Sequence, residues 1–416
     1  MEKDILKDNN ASMEAFNIPE VVHTHRSGIF KFHAGIDIKT LQPMIDRIED
    51  AHHRFSSIPI LPEWANMLEK EIVVSGVFGT NTIEGGTLTE EETAAVLESP
   101  EQAKAETERR VVNLRNAYNL AEDCAKIMID KYRNGQAGGP LVINDEVGVR
   151  LFIVEEMFTD LHKDITMNLT HPNNVPGQYR NNPKTETTRV GDTDHGGVYM
   201  PPKCFDDIKM LMETFVDWVN GEHVIKLSPL IRAPLVHYYF ERIHPFWDGN
   251  GRVGRVVEAM ILMAAGYKYA PFALSRYYFD NLDEYFSVFN FARKAEKQDQ
   301  YPNNVFVQLF LKGMLEVMNK QHDRIRELVA VLVQNSYLHN CLEKKIINKR
   351  QYVILKSLPK FKETNLKDLE ATAWYQSLYD NLTDKTRLRD FKRLINKKFI
   401  AISKDKKIRM IMPSLS

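Results

Sequence analysis

Between residues 244 and 255 the chain reads His-Pro-Phe-Trp-Asp-Gly-Asn-Gly-Arg-Val-Gly-Arg, the densest run of chemically capable groups in its 416 residues. Glycines let backbone N–H groups approach an anion, and a helix opening near Arg252 would add its positive end, which together make a phosphate cradle. Arg252 and Arg255, three apart on a first helical turn, offer charge-assisted contacts suited to phosphate oxygens. Asp248 beside them is the kind of oxygen donor that Mg2+ shares with substrate phosphates. His244, four residues earlier, is placed to take a proton from an incoming hydroxyl.

Other readings of the same residues fail on context. Gly249, Gly251 and Gly254 satisfy G-x-G-x-x-G, but a dinucleotide-binding turn needs a preceding strand and an acidic residue about twenty positions on. The segment before His244 is helical in pattern and ends in His-Pro. A Walker loop fails because no Gly-Lys-Ser/Thr follows. A lone histidine or glycine pair would be a cap or a turn; a base, a carboxylate, an asparagine, three glycines and two arginines within twelve residues are more than a turn requires.

The segment resembles the motif of the Fic family, HPFx[D/E]GNGRxxR, at every defined position. Members transfer AMP from ATP to a Ser, Thr or Tyr hydroxyl of a protein and are built on a helical bundle. The resemblance implies that His244 is the general base and Asp248 the Mg2+ ligand. It further implies that Gly249, Asn250 and Gly251 form the anion pocket while Arg252 and Arg255 hold the outer phosphates. ATP is then the substrate, Mg2+ the cofactor, and the partner a target protein with an exposed hydroxyl, the chain itself included. Removal of AMP, or use of another nucleotide, are alternatives that the same motif allows.

Three further stretches extend the resemblance. PGQYRNN (176–182), TTRVG (187–191) and YMPP (199–202) look like the family's target-positioning flap, with Val190 and Gly191 at its tip. SRYYFDNLDEYF (275–286) resembles the segment that packs on adenine, with Asn281 and Tyr285 on its recurrent Asn and Tyr. Thr80 to Gly85, Thr-Asn-Thr-Ile-Glu-Gly, fits the inhibitory pattern [S/T]xxxE[G/N]. A carboxylate held there at a helix end can pair with Arg255 and withdraw it from the γ-phosphate, which makes Glu84 the inhibitory residue.

The elements that must position these groups are mostly helices. Apolar residues Trp64, Met67, Leu68, Ile72 and Phe78 recur at helical spacing from Pro62 to Ile83, and Gly85 and Gly86 end that helix. Thr89 with Glu92 has the form of a capping box, opening a second helix expected to run on through residues 106–132. A Gly-rich loop at 135–139 follows, then helix over 141–168, a long irregular stretch over 169–203, and a helix near 203–220. Ser228 and Pro229 mark a helix start. Strand alternation is nearly absent before residue 340, so the fold expected is mainly α: a helical bundle with a small β-hairpin flap. His23, His25, His33, His52 and His53 have no acidic or thiol residues at ligand spacing and read as surface or capping histidines.

The last seventy residues differ. Helical patterns over 349–358 and 386–396 precede FIAIS and IRMIM, two β-rich runs joined by the turn-like 404–407, the outline of a winged helix-turn-helix. The formal charge of −1 divides unevenly: 344–416 carry 19 basic and 7 acidic residues, a net +12 that leaves −13 for the rest. That tail invites a DNA or protein contact, and a DNA-binding regulator with the Fic portion as sensor is the alternative function. The domains expected are 1–135 with the inhibitory motif, 136–342 as catalytic core and 343–416 as the winged-helix-like part. Cys124, Cys204 and Cys341 lie far apart, which argues against a disulfide framework or thiolate zinc site. A charged amino terminus and the absence of a long apolar run lead to the expectation of a cytoplasmic protein with no membrane partner. A homodimer is implied by the family layout.

Overall fold

A computed structural model of the chain describes residues 15–411 except 59, 134–141, 146, 147, 184, 185, 360–362 and 404, with side chains described outside 128–149. It divides into two compact units, one through Gln321 and the other from His322. Among the described residues no helix is long and apolar enough to cross a membrane.

The first unit opens with an antiparallel hairpin, β1 (Glu20–His23) and β2 (Ile29–Phe32), in the register Glu20↔Phe32 to His23↔Ile29. The first 340 residues are mainly α as expected, and this hairpin is an addition that the residue pattern did not show. Four-residue strands are too short for alternation to stand out, and only Val22, Phe30 and Phe32 point inward. Phe32 is stacked on Phe215 and Trp218, at 5.9 and 5.8 Å between centroids. The turn is tied down by Asp207, whose carboxylate accepts from the N–H groups of His25 (2.7 Å) and Arg26 (3.1 Å) and from the Ser27 hydroxyl (2.6 Å). His33, expected near the surface, is buried, and its carbonyl accepts from the Tyr239 hydroxyl.

Helix α1 (Ile38–Ser56) is capped by Asp37, and α2 (Pro62–Ile83) starts and stops where its proline and glycines say it should. The capping box forms: Thr89 N–H donates to Glu92 at 2.8 Å and Glu92 N–H to the Thr89 hydroxyl at 3.2 Å. The helix it opens is short, however. α3 (Glu90–Glu98) ends ahead of a 3-10 turn at Pro100–Gln102, and α4 (Glu106–Arg133) is a separate helix. Proline disfavours helix for the residue before it, so Ser99 breaks the run that periodicity alone would carry through.

The loop expected at 135–139 lies outside the described residues. The helix expected over 141–168 is corrected to a hairpin, β3 (Val142–Asp145) with β4 (Gly148–Leu151), followed by α5 (Glu155–Thr166). Short apolar runs do not distinguish a strand from a buried helical turn. After the irregular stretch come α6 (Phe205–Asn220), α7 (Glu222–Ile225), α8 (Pro229–Ile243), α9 (Asn250–Ala264), α10 (Ala270–Asp280) and α11 (Leu282–Ala295). Ser228 caps α8 with Pro229 at its first position. Every residue of α9 is buried, the mark of a central helix, and it packs on α8 and α4 while α10 packs on α2.

Helix α12 (Asn304–Glu343) has its residues to Gln321 in the first unit and those from His322 in the second. The second unit holds α13 (Lys349–Ser357), β5 (Thr364–Asn365), α14 (Leu366–Glu370), α15 (Ala373–Leu378), α16 (Asp384–Asn396), β6 (Ile400–Ile402) and β7 (Lys407–Met410). The hairpin β6–β7 lies in the runs read as β-rich, and the short β5 adds a third strand in the order β5-β7-β6. Ile354, Leu355, Leu394, Ile400 and Ile408 form the core of this unit. Asp390, buried, ties α16 to α13 by accepting from Arg350 Nε at 2.9 Å and Asn348 Nδ2 at 3.2 Å.

Asp207→Ala would leave three donors of the β1–β2 turn without their acceptor. It is expected to cost about 1–3 kcal/mol, read as a lower urea midpoint at unchanged slope.

Candidate active site

Helix α8 ends at His244, which adopts a left-handed conformation (φ 50°, ψ 61°) while its N–H still donates to Phe240 O at 2.9 Å. For a residue with a Cβ that conformation costs about 1–2 kcal/mol and must be held by its surroundings. Arg180, fully buried, holds it: Nε donates to His244 O at 2.7 Å and its own N–H to Pro245 O at 2.8 Å. The rest of that guanidinium goes to Pro202 O at 2.6 Å and to Asn182, so one side chain joins both ends of the 180–202 loop to the catalytic candidate. His244 Nδ1 is shielded from solvent without a hydrogen-bond partner, 3.5 Å from Glu241 Oε2.

The loop after His244 is clamped twice. The Asn250 side chain accepts from Phe246 N–H and donates to Phe246 O, both at 2.9 Å, so it serves the loop, and only its backbone is left to face an anion. His162 lies flat on the Phe246 ring at 3.7 Å. Its Nδ1 accepts from Gly177 N–H at 2.9 Å, so the ring proton is on Nε2 and donates to Asp248 O at 3.1 Å. Burial pushes its pKa down to about 4, which keeps that neutral tautomer in place.

Gly249 turns the chain at φ 85° and starts α9 without any side-chain cap, which leaves the positive end of the helix open to a ligand. Arg252 Nη2 donates to Asp248 Oδ2 at 2.7 Å, while its Nε and Nη1 are buried without a partner. Burial works against charge on Asp248, but Arg252 outweighs it and holds the carboxyl below its usual range.

Glu84 caps the C-terminal end of α2, and Arg110 of α4 grips that end by donating to Glu84 O at 3.0 Å and Asn81 Oδ1 at 3.3 Å. Its carboxylate reaches Arg255 Nη2 at 2.7 Å. Arg255 also donates to Thr80 O at 3.3 Å and the Tyr285 hydroxyl at 3.0 Å. Only a glycine fits beneath the pair: a Cβ on Gly251 would lie 2.0 Å from Glu84 Oε1. Burial raises the Glu84 pKa, yet Arg255 and Arg252 together leave it below the ordinary glutamate value.

These groups open on one cavity of about 380 Å³, lined by Glu84, His244, Asp248, Gly249, Asn250, Gly251, Arg255 and Tyr285. Val190 and Gly191 line it from the flap, where Val190 pairs with Tyr199 in a single antiparallel bridge. Buried Asn290 of α11 holds the flap turn, donating to His195 O at 3.0 Å and Gly197 O at 2.7 Å. Arg252 and Asn281 do not line the cavity; Asn281 Nδ2 instead donates to Tyr277 O at 2.9 Å at the end of α10. Glu241, Arg242, Phe286, Phe289 and Arg293 line it as well. Of these only Phe286, at the end of the 275–286 stretch, fell within a segment read from the sequence as part of the site. Glu241 and Arg242, directly before Ile243-His244, were the ones that proximity to the motif could have suggested.

Among the described residues no three His, Cys, Asp or Glu side chains gather as a metal cage. Mg2+ does not require one, since a single carboxylate plus phosphate oxygens and water suffices. Asp248, partly exposed and held ionised, fits that requirement.

Residues 152–262, which hold the His-Pro-Phe loop and most of the uncapped central helix α9, match the Fic/DOC family. Curated relatives include the protein adenylyltransferase Fic of Nematostella vectensis, 28% identical over 258 residues that span 61% of this chain and 51% of that protein. That of Drosophila virilis is 30% identical over 200 residues, 48% of this chain and 34% of that protein. The chain thus spans about half or less of the length of these relatives. Fic-1 of C. elegans shares the fold, with a TM-score of 0.50 at 20% identity over 70% of this chain and 74% of that one.

A depressed Glu84 pKa means that the Glu84–Arg255 pair contributes stability above about pH 4.5, the ordinary glutamate value, and loses it as pH falls below that. Glu84→Gln is therefore expected to melt lower than the parent by a constant margin from pH 8 to 5, worth about 1–3 kcal/mol. The margin should narrow below pH 4.5 in parallel thermal melts.

Proposed function

We propose that the chain is a protein adenylyltransferase held in check by its own Glu84. The observation that carries this reading is the single cavity shared by His244, Asp248, the uncapped end of α9 and the Glu84–Arg255 pair. The relatives named above carry the same activity in their names.

In this reading ATP lies with its phosphates over Gly249, Asn250 and Gly251. Arg255 faces them from the cavity wall, and Arg252, buried behind the loop and paired with Asp248, adds positive charge without lining the cavity. Bound to Asp248, Mg2+ would offset the charge of the departing pyrophosphate. His244 accepts the proton of a target Ser, Thr or Tyr hydroxyl as that oxygen attacks the α-phosphorus, and pyrophosphate leaves in line. Most of the rate comes from placement and charge stabilisation. Val190 and Gly191 at the flap would align the target segment, and Tyr285, with Asn281 behind it, would border the adenine.

Glu84 restrains this reaction by occupying Arg255, so that the γ-phosphate lacks its cation and ATP settles in a posture unsuited to in-line attack. The inhibitory region 1–135, the core 136–342 and the basic part 343–416 are then three functional divisions of one chain. A nucleic-acid contact is the second reading for the last of these, favoured by Lys385, Arg389 and Lys392, all exposed on α16. It requires DNA affinity of the full chain that falls steeply with salt.

Incubated with Mg2+ and α-labelled ATP, the Glu84→Gly protein is expected to label itself or an added target at least about tenfold faster than the parent, an effect of roughly 1.4 kcal/mol on the barrier. His244→Ala should abolish labelling. Label from γ-labelled ATP with none from α-labelled ATP would mean phosphoryl transfer and would exclude AMP transfer.

A further inference from the structure

Arg255 has a second line of support that owes nothing to Glu84. Its Nη1 donates to the Tyr285 hydroxyl at 3.0 Å, and that donation sets the proton positions of everything beyond it. A guanidinium can only donate, so the Tyr285 oxygen accepts from it, and the one acceptor in reach of the Tyr285 O–H among the described residues is His237 Nε2, 3.1 Å away. Nε2 is therefore bare, and the imidazole proton sits on Nδ1, aimed at Glu258 Oε2 at 2.9 Å. Tyr278 donates its hydroxyl to the same carboxylate, 3.1 Å from each oxygen. An ionised Glu258 uses all of these donors.

Each member of this chain of hydrogen bonds is at most 2% exposed. Among the described residues the only ion-pair contact of Glu258 is His237, which the bond directions make neutral. A buried carboxylate without a cation is costly, so its counter-charge must be near. Arg255 stands three residues earlier on α9, on the same helix face, and is the cation at the other end of the chain. Gly254, one turn before Glu258 on α9, admits the imidazole: a Cβ there would lie 2.8 Å from His237 Cδ2.

We infer that Glu258, His237 and Tyr285 form a positioning relay for Arg255, supplying a standing counter-charge that keeps the guanidinium aimed at the nucleotide when Glu84 releases it. The inference deepens the proposed function and rests on its assignment of Arg255 to the γ-phosphate. Glu84 and Glu258 thus share one cation: the first is removable, and the second is built into the core.

ADP lacks the γ-phosphate, so the comparison of ATP with ADP isolates Arg255. Binding of each nucleotide with Mg2+ is measured calorimetrically on full-length Glu84→Gly protein, alone and with Glu258→Gln or Tyr285→Phe added. The Glu258→Gln change keeps an acceptor for His237 and Tyr278 while losing the charge. The Tyr285→Phe change keeps the ring and cuts the relay, so it carries the test if the Glu258→Gln protein does not fold. Each added change is expected to lower the ratio of ATP to ADP affinity about tenfold, since any contact of Tyr285 with the adenine is common to both nucleotides. ATP affinity unchanged in a folded variant, or ATP and ADP weakened alike, would overturn the relay and reduce Glu258 to a packing residue. Should Glu84→Gly protein itself not favour ATP over ADP, the γ-phosphate role of Arg255 fails, and the relay's role falls with it.

Discussion

Two buried arginines and the uncapped positive end of α9 crowd one corner of the core, and much of the molecule is arranged around that concentration of charge. Asp248 takes part of Arg252, Glu84 takes one edge of Arg255, and Tyr285 takes another. Left over is the open helix end, which is the group a polyphosphate would satisfy. Because α9 is buried along its whole length, the cradle cannot shift to ease the repulsion. It must be neutralised by neighbours or by a ligand.

The same rigidity explains why the neighbours come from distant parts of the chain. Glu84 arrives at the end of α2, held by Arg110 from α4; Asp248 is fixed through its carbonyl by His162 from α5. His244 owes its left-handed backbone to Arg180, which also ties down Pro202 at the far end of the flap segment. A change in the flap's base and a change in the posture of the histidine are thus mechanically linked through one buried side chain.

Legibility followed the range of the interaction. Helix ends written in local chemistry were readable: Pro62 and the glycines after Ile83, the Thr89–Glu92 box, Ser228 with Pro229. Pairings between strands were not, and the hairpins at 20–32 and 142–151 were missed because four residues carry too little alternation. The break at Ser99 was written in Pro100 but was masked by continuous helical periodicity on either side. In the site, the residues of 244–255 and Glu84 could be named from their motifs. Asn250, named for the anion pocket, turned out to spend its side chain on Phe246, a bond that its residue type alone could not reveal.

The sequence by itself determined the chemical inventory: a histidine, a carboxylate, three glycines and two arginines in twelve residues, and a glutamate followed by two glycines. Short spacing across one loop and the helix it opens makes the twelve-residue set meaningful before any folding is considered. Only the tertiary structure decided which of these groups meet and what else meets them. The 2.7 Å contact of Glu84 with Arg255 spans 171 positions, and its fit depends on the missing Cβ of Gly251. His237 and Glu258 carry no motif at all. Their significance comes from burial, which removes water as an alternative partner and so forces every proton along the line from Arg255 to point one way.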